Sequence, residues 1–371
     1  MDGGTISATG VCTLQQVGTV IDTRRSEPLK PFSPKFKVDP GLPQDAVLSE
    51  WTDMMRIYSQ RQTPLEVRAW RIPDCIVVPP HMLLVTKSGE LIAESIRKRA
   101  IPARNPAFTH LVEDNVSVSQ ASDIPYTRMS KEVFALGVSQ HLNYYHWMIE
   151  SIPRLDWLSA QNNLPVLLAN PRRKYHTQSI EYLQPPSLES ICISQPTMFD
   201  QLVFVEFLAK SNVRLSPLIR DFYRAHSPNS GPRRRRLLVS RADAGIRRIV
   251  NEPDLMQALS WLDFELVQLT PMSVEEQAKL FAEAEIVVGP HGAGFANLCF
   301  CQKGTRVLEF VPSSFHEGIT SFAALSDMFE LDYTMCVCQA THPQLGANTN
   351  LTVDVAHAVQ LLGEFCGAHQ D

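Results

Sequence analysis

Residues Glu285 to Pro312 read EIVVGPHGAGFANLCFCQKGTRVLEFVP. Two apolar runs, EIVVG and TRVLEFV, enclose a turn that carries Gly289, His291, Gly292, Gly294 and Asn297. Short, apolar runs bounded by glycine are the pattern of strands buried on both faces. The residues from about Ala293 are predicted to form a short helix between them. Upstream, Ser273 and Glu276 form an S-x-x-E capping box for the helix VEEQAKLFAEA, which leads into the first of these strands. Before it, RRLLVSR (Arg235 to Arg241) is a strand, NEPDLMQALSWL a helix opened by Asn251 with Pro253 in its first turn, and FELVQL a strand. Downstream come a helix around Gly318 to Phe329, the strand DYTMCVC and a last helix, TVDVAHAVQLLGEF, expected to pack back across the molecule. Five strands separated by four helices predict a doubly wound parallel sheet.

Ligands of such sheets lie beyond the C-terminal ends of the strands, where the turn after EIVVG falls. Gly289, Gly292 and Gly294 let the backbone approach a ligand, and a helix starting at Ala293 aims N–H groups and its dipole at it. An anion, and specifically a diphosphate, suits that setting, with His291 as an additional donor. A purely structural tight turn is the competing reading. The spacing Gly-x-x-Gly-x-Gly is not the dinucleotide fingerprint, and no G-x-S-x-G elbow accompanies the HGAG to make it an oxyanion turn.

Composition limits the remaining possibilities. A chain of 371 residues favours two domains, and 44% apolar with 20% charged residues describes a globular protein. A net charge of -5 argues against a dedicated nucleic-acid binder, and the run Arg233 to Arg236 reads as a solvated strand entrance. No apolar stretch reaches the length of a membrane span, and the N-terminus lacks a signal-peptide pattern. Eight cysteines are too few for a disulfide framework. The pairs Cys299/Cys301 and Cys336/Cys338 could in principle make a four-thiolate metal site, but buried reduced thiols fit their apolar surroundings better.

The N-terminal half is less legible. Residues 1–40, rich in Pro, Gly, Ser and Thr, read as an extended arm or loosely packed edge. CIVVPP, VFALGV (Val133 to Val138), LPVLLAN and QLVFVEFLA are strands, LLVTKSGELIAES is a hairpin turning at Ser88-Gly89, and NYYHWMIESIPRLDWLSA is amphipathic. The expected boundaries are an N-terminal α/β domain at 41–215, a C-terminal domain at 216–340 and the last helix at 341–371.

Taken in order, NYYHWMIESIPRL, LLVSRADAGIRRIVNEPDL, VVGPHGAGFANLCF and VLEFVP resemble the family 61 glycosyltransferases over roughly Val133 to Pro312. That family includes O-GlcNAc, xylosyl and arabinosyl transferases and bacterial relatives near capsule and exopolysaccharide genes. The resemblance implies a GT-B-like α/β fold, two Rossmann-like domains facing across a cleft, with a nucleotide sugar on the C-terminal one and the acceptor on the other. It implies an inverting transfer from a UDP-sugar to a glycan or lipid-linked oligosaccharide hydroxyl. Arg241 matches the arginine of the family's S-R motif, where it would pair with diphosphate; Arg247 and Arg248 match the next arginines. His291, Gly292, Ala293 and Gly294 match the H-G-A-G, Asn297 completes it, and Glu309 matches a glutamate suited to ribose hydroxyls.

An inverting displacement needs a base for the acceptor hydroxyl. His146 and Glu150, four apart, share one helix face; Glu150 is expected as base with His146 beside it, the roles exchangeable. The family often has aspartate at the second position. No D-x-D occurs, so no metal cofactor is expected, with arginine and helix N–H groups taking the cation's place. The expected location is cytoplasmic, at most peripheral to the inner face of a membrane. A binding scaffold that kept the fold and lost activity, or another nucleotide-sugar enzyme, are the rival classes; the latter lacks its first-strand glycine fingerprint.

Overall fold

The structure is a computed structural model that describes residues 3–7, 10–27, 29, 34–59, 66–96, 111–112, 115–116, 123–137, 141–170, 172–183, 188–211, 214–227, 231–315 and 321–367. Val138, at the end of the expected strand VFALGV, and Gly318 to Thr320, at the start of one expected helix, lie outside the described residues. The chain forms two compact units, Met1–Ser26 with Leu65–Leu208, and Glu27–Pro64 with Ala209–Asp371. The chain therefore enters the second unit twice.

The first unit is built on a ten-stranded mixed sheet. Its parallel part runs Ser190–Ile193, Val166–Ala169, Asp123–Ala135, Thr197–Val205. Beyond Thr197–Val205 the neighbours turn antiparallel: Glu66–Val78, then Leu83–Val85 and Glu90–Ile92, the hairpin expected at Ser88-Gly89. Only half of this sheet is thus Rossmann-like, because the direct hairpin connections around Leu83–Ile92 enforce antiparallel pairing where a helical crossover would be needed for parallel. The expected N-terminal arm is instead part of the sheets. Gly3–Ser7 pairs with Asp123–Ala135, Thr19–Arg25 with Glu66–Val78, and Lys35–Val38 with a strand of the second unit. The core of this unit is apolar and aromatic, including Trp70, Ile72, Phe199, Leu202 and Phe204.

The second unit has a seven-stranded sheet. Phe264–Val267, Arg235–Val239, Ala284–Pro290, Arg306–Pro312 and Asp332–Ala340 lie in that order and all parallel, as predicted. Lys35–Val38 continues the parallel set and Leu351–Thr352 adds an antiparallel edge to Asp332–Ala340. The helix after Arg235–Val239 leads to a strand on one side of it, and every later crossover strand lies on the other. The order reverses between Arg235–Val239 and Ala284–Pro290, and that junction is where a doubly wound sheet opens a crevice.

Helices Glu252–Ala258 and Val355–Cys366 pack together on one face over Leu238, Val288, Leu308 and Phe310. The last helix therefore completes the core of its own unit, with Leu361 and Leu362 buried. Val274–Ala282 begins at the predicted capping box: Glu276 N donates to Ser273 Oγ at 3.2 Å and Ser273 N to Glu276 Oε2 at 2.7 Å, a motif worth about 1 kcal/mol. Asn251 precedes Glu252–Ala258 without capping it; its amide exchanges hydrogen bonds with the backbone of Val353 instead. Arg235 and Arg236 of the basic run pair with Glu265 and Glu285 at the strand entrance. Among the described residues no helix is long and apolar enough to cross a membrane.

Candidate functional site

Two residues beyond the end of Arg235–Val239 stands Arg241, and just beyond Ala284–Pro290 stands His291, so the two strands flanking the reversal deliver them to one place. Gly292 joins them: a Cβ built on it would lie 2.7 Å from Arg241 Cζ and 2.9 Å from Cδ. The room that glycine opens is thus filled by the guanidinium, not left to a ligand's approach to the backbone. Gly289 serves packing, since a Cβ there would fall 2.7 Å from Val239 O across the strand pair. Gly294 and Ala293 are half-buried at the start of Ala293–Phe300, which is a 3-10 helix beginning after Gly292. Its tighter winding follows from the apolar, fully buried stretch Phe295 to Phe300 that must fit against Val274–Ala282.

Arg241 donates from Nη2 to Ile246 O at 3.3 Å, while its buried Nε has no partner among the described residues. It forms no ion pair among them. Burial, followed by the neighbouring Arg247 cation, pulls its pKa down to about 10, offset in part by Asp243. A guanidinium stays charged at neutral pH even so. Arg247 takes a left-handed conformation, φ 55, costing about 1–3 kcal/mol for a residue with a side chain. It is held there by hydrogen bonds from its N to Thr349 O (3.1 Å), its Nε to His291 O (3.1 Å) and its Nη1 to Ala347 O (3.0 Å). Its pKa is lowered by burial, with the carboxylate of Glu309 opposing that. Arg248 points elsewhere: it is exposed, and its backbone N meets Asn350 Oδ1.

His291 is nearly buried between the rings of Phe315 and Phe322, with centroids 4.5 and 4.9 Å away. Its Nδ1 bonds Glu309 Oε1, and its backbone N donates to Phe310 O at 2.9 Å. The other oxygen of Glu309 accepts from the Tyr333 hydroxyl. Burial and the adjacent carboxylate hold the Tyr333 phenol well above its usual pKa, so Tyr333 remains the donor. The expectation that Glu309 meets ribose hydroxyls is therefore corrected: it is wholly buried and both oxygens are engaged within the protein. It orients the imidazole through Nδ1, so Nε2 is the ring nitrogen turned away from this carboxylate. Asn297 is likewise buried, donating to Gln277 Oε1 at 2.7 Å, while Gln277 donates to Leu269 O and Met272 O. Through Gln277 it is tied to the loop before Val274–Ala282.

The first unit holds the second cluster. Asn143 caps a turn of helix, accepting from Tyr145 N at 2.9 Å, and the winding then changes from α at Tyr144–His146 to π at Trp147–Ser151 and 3-10 at Ile152–Trp157. Pro153 explains the change, because it has no N–H for the Ile149 carbonyl. Trp147 through Ser151 are all buried. His146 Nδ1 and Glu150 Oε1 are 2.8 Å apart, with side-chain exposures of 12% and 0%. The carboxylate is the deeper of the two groups and the imidazole the more exposed. The expected pairing of the two side chains is present, with the roles left exchangeable.

Three neighbours escaped sequence reasoning. Trp147 packs against His176 with centroids 4.3 Å apart and ring planes tilted by 55°, and donates to Ser179 Oγ at 2.7 Å, tying the π-turn to the helix Lys174–Leu183. His176 accepts from Arg173 N and bonds His141 O, as a neutral ring; burial pulls its pKa down to about 4. Arg154, fully buried beneath the same segment, donates to Leu136 O and Val205 O at the ends of two parallel strands and lies over Phe204. A lone arginine in an apolar stretch carries no mark of that depth.

Desolvated arginines and an oriented histidine gathered at the strand reversal of an α/β sheet make a setting that suits an anionic, phosphate-bearing ligand. Residues 144–308 match the model of the family described as Glycosyltransferase 61. That stretch of the chain is similar to this family, and the match supports a glycosyltransferase. No curated protein matches it.

Proposed function

We propose that the protein is an inverting, metal-independent glycosyltransferase that moves a sugar from a UDP-sugar to a hydroxyl of a glycan or lipid-linked oligosaccharide in cell-surface polysaccharide synthesis, such as capsule or exopolysaccharide. The observation that carries this reading is Arg241, a desolvated cation at the strand reversal, beside a second guanidinium, only partly offset by Asp243 and in no ion pair among the described residues. Two adjacent guanidiniums repel each other, and a diphosphate between them turns that repulsion into attraction. Arg241, Arg247 and His291 Nε2 grip the diphosphate. His146 Nε2 takes the acceptor proton as its oxygen attacks the anomeric carbon. The bond from that carbon to the β-phosphate oxygen breaks, and the nucleoside diphosphate leaves with the electron pair. A GT-B-like division of labour, donor on the second unit and acceptor on the first, belongs to the proposal and is supported by a separate sheet in each. So does a cytoplasmic location at the inner face of a membrane, which fractionation tests.

The experiment is a thermal-shift series with UDP, GDP, CMP, dTDP and NAD+ in EDTA, on wild type and Arg241→Ala, followed by donor hydrolysis. Stabilisation by UDP of about 2.7 kcal/mol at a hundredfold excess over Kd is expected, and its loss in the variant. Hydrolysis separates an enzyme from a scaffold that merely binds. Activity abolished by EDTA and restored by manganese counts against the metal-independent mechanism.

A further inference from the structure

The two C-x-C pairs do not meet as a four-thiolate cluster. Cys299 lies in Ala293–Phe300 against Tyr223, while Cys336 and Cys338 sit on Asp332–Ala340 in the opposite core. The second pair has other company. A strand's period of two puts residues 336 and 338 on one face, and their sulfurs are 4.0 Å apart. Lys35–Val38 pairs with the same strand, Val38 beside Val337, so the next residue, Asp39, emerges alongside Cys338. Asp39 Oδ1 is 3.4 Å from Cys336 Sγ and 3.3 Å from Nδ1 of His357, which also bonds Cys336. Asp39, Cys336 and Cys338 are buried, their ligand atoms all within 4.8 Å of one another, while His357 borders that set through Asp39 and Cys336.

We propose that Asp39, Cys336 and Cys338 hold a structural zinc ion in the core of the second unit, with His357, which already meets Asp39 and Cys336, turning in to close the tetrahedron. For Zn–S near 2.3 Å and Zn–N or Zn–O near 2.0–2.2 Å, a tetrahedron has edges of about 3.8 Å for S···S, about 3.5 Å for S···O and about 3.4 Å for N···O. The three distances above fall close to these. Two thiolates with an imidazole select zinc over magnesium or calcium, and four protein ligands exclude the open position of a catalytic ion. The outer contacts are those of a metal site. Asp354 N donates to Asp39 Oδ2 at 3.1 Å, and His357 N to Asp354 Oδ1 at 2.9 Å, fixing carboxylate and helix start together.

The ion would clip three pieces of chain remote in sequence: the Glu27–Pro64 segment, the Asp332–Ala340 strand and the Val355–Cys366 helix. Asp39 and Cys336 are 297 positions apart, so the clip closes a very long loop. On binding, the two thiols release their protons to solvent as the sulfur–zinc bonds form. Strand alternation separates this face from that of Glu309 and Tyr333, so the clip and the nucleotide crevice are distinct, and the metal-free transfer proposed above is untouched by it.

The test is the full chain, purified from zinc-supplemented cells, desalted and measured for metal by mass spectrometry. About one zinc per chain is expected for the wild type and for Cys192→Ser, whose thiol is exposed, and a roughly tenfold or greater loss for Cys336→Ser/Cys338→Ser. Because the double variant can fail to fold, wild-type protein is also reloaded with cobalt. Thiolate-to-cobalt charge transfer in the near ultraviolet, with Cys336 and Cys338 protected from alkylation, supports the site by itself. Folded wild-type protein that takes up neither metal after incubation, with both thiols alkylated equally with or without zinc or found joined as a disulfide, overturns it.

Discussion

Gly292 shows how a missing side chain can place a present one. Its backbone is extended, φ -176, so no conformational demand requires glycine there; the demand is Arg241, whose guanidinium occupies the space of a Cβ. Gly292→Ala is expected to push that guanidinium out of the crevice. A charged hydrogen bond is worth about 1.5–3 kcal/mol, so UDP should bind roughly tenfold to a hundredfold more weakly with the melting temperature little changed, as calorimetry would read. Unchanged affinity would remove Arg241 from the diphosphate's grip. His146 and Glu150 give a second contrast. The more accessible imidazole should be the group whose loss hurts most, so His146→Ala is expected to lower kcat by about 10²–10⁴-fold. Glu150→Gln, which keeps the shape but not the charge behind the ring, should lower it less and shift the pH profile of kcat. Equal pH profiles for Glu150→Gln and wild type would return Glu150 to a purely structural part.

The π-turn Trp147–Ser151 depends on an element distant from it in sequence, Lys174–Leu183, through the Trp147–His176 contact. His176 titrates near 6.5 when unfolded and near 4 when folded. The unfolded chain therefore binds the extra proton first as the pH falls. The stability from keeping this ring neutral is complete above about 6.5 and drains away down to about 4, amounting to about 3 kcal/mol. The urea midpoint should fall across that window, and His176→Gln should flatten the part of the fall that this residue causes. A midpoint equally pH-dependent in the variant would mean that other groups carry the acid sensitivity. The capping box of Val274–Ala282 was readable from four consecutive positions because its bonds are local; the role of Asn251 was not, because its partner Val353 lies 102 residues away.

Seen as a whole, the chain threads Glu27–Pro64 into a unit otherwise made of its C-terminal part, and Lys35–Val38 covers what would be a long open edge on Asp332–Ala340. An uncovered edge strand of this kind invites pairing with other chains. A fragment of 209–371 alone is expected to aggregate or to melt well below a fusion that restores 27–64 through a flexible linker. A soluble, cooperatively melting 209–371 fragment would show that the N-terminal strand is dispensable.

The parallel sheet of the second unit, its capping box and the crowding of glycine, histidine and arginine near the strand ends were legible in the residues alone. Each of these rests on interactions between neighbours in sequence: apolar period, local caps, turn chemistry. The family relation was legible for the same reason, since its motifs are contiguous. Register and layering were not. Whether Glu309 faces a ribose or the ring of His291 depends on Tyr333 standing one strand away, and whether His146 or Glu150 is reachable depends on which lies deeper in a helix whose pitch changes at Pro153. The same holds for the strands within residues 1–40 and for the meeting of Asp39 with Cys336, Cys338 and His357. Apart from the local pair His146 and Glu150, these contacts join separate elements, 24 positions apart for Glu309 and Tyr333 and 297 for Asp39 and Cys336, and only the folding of each unit decides them.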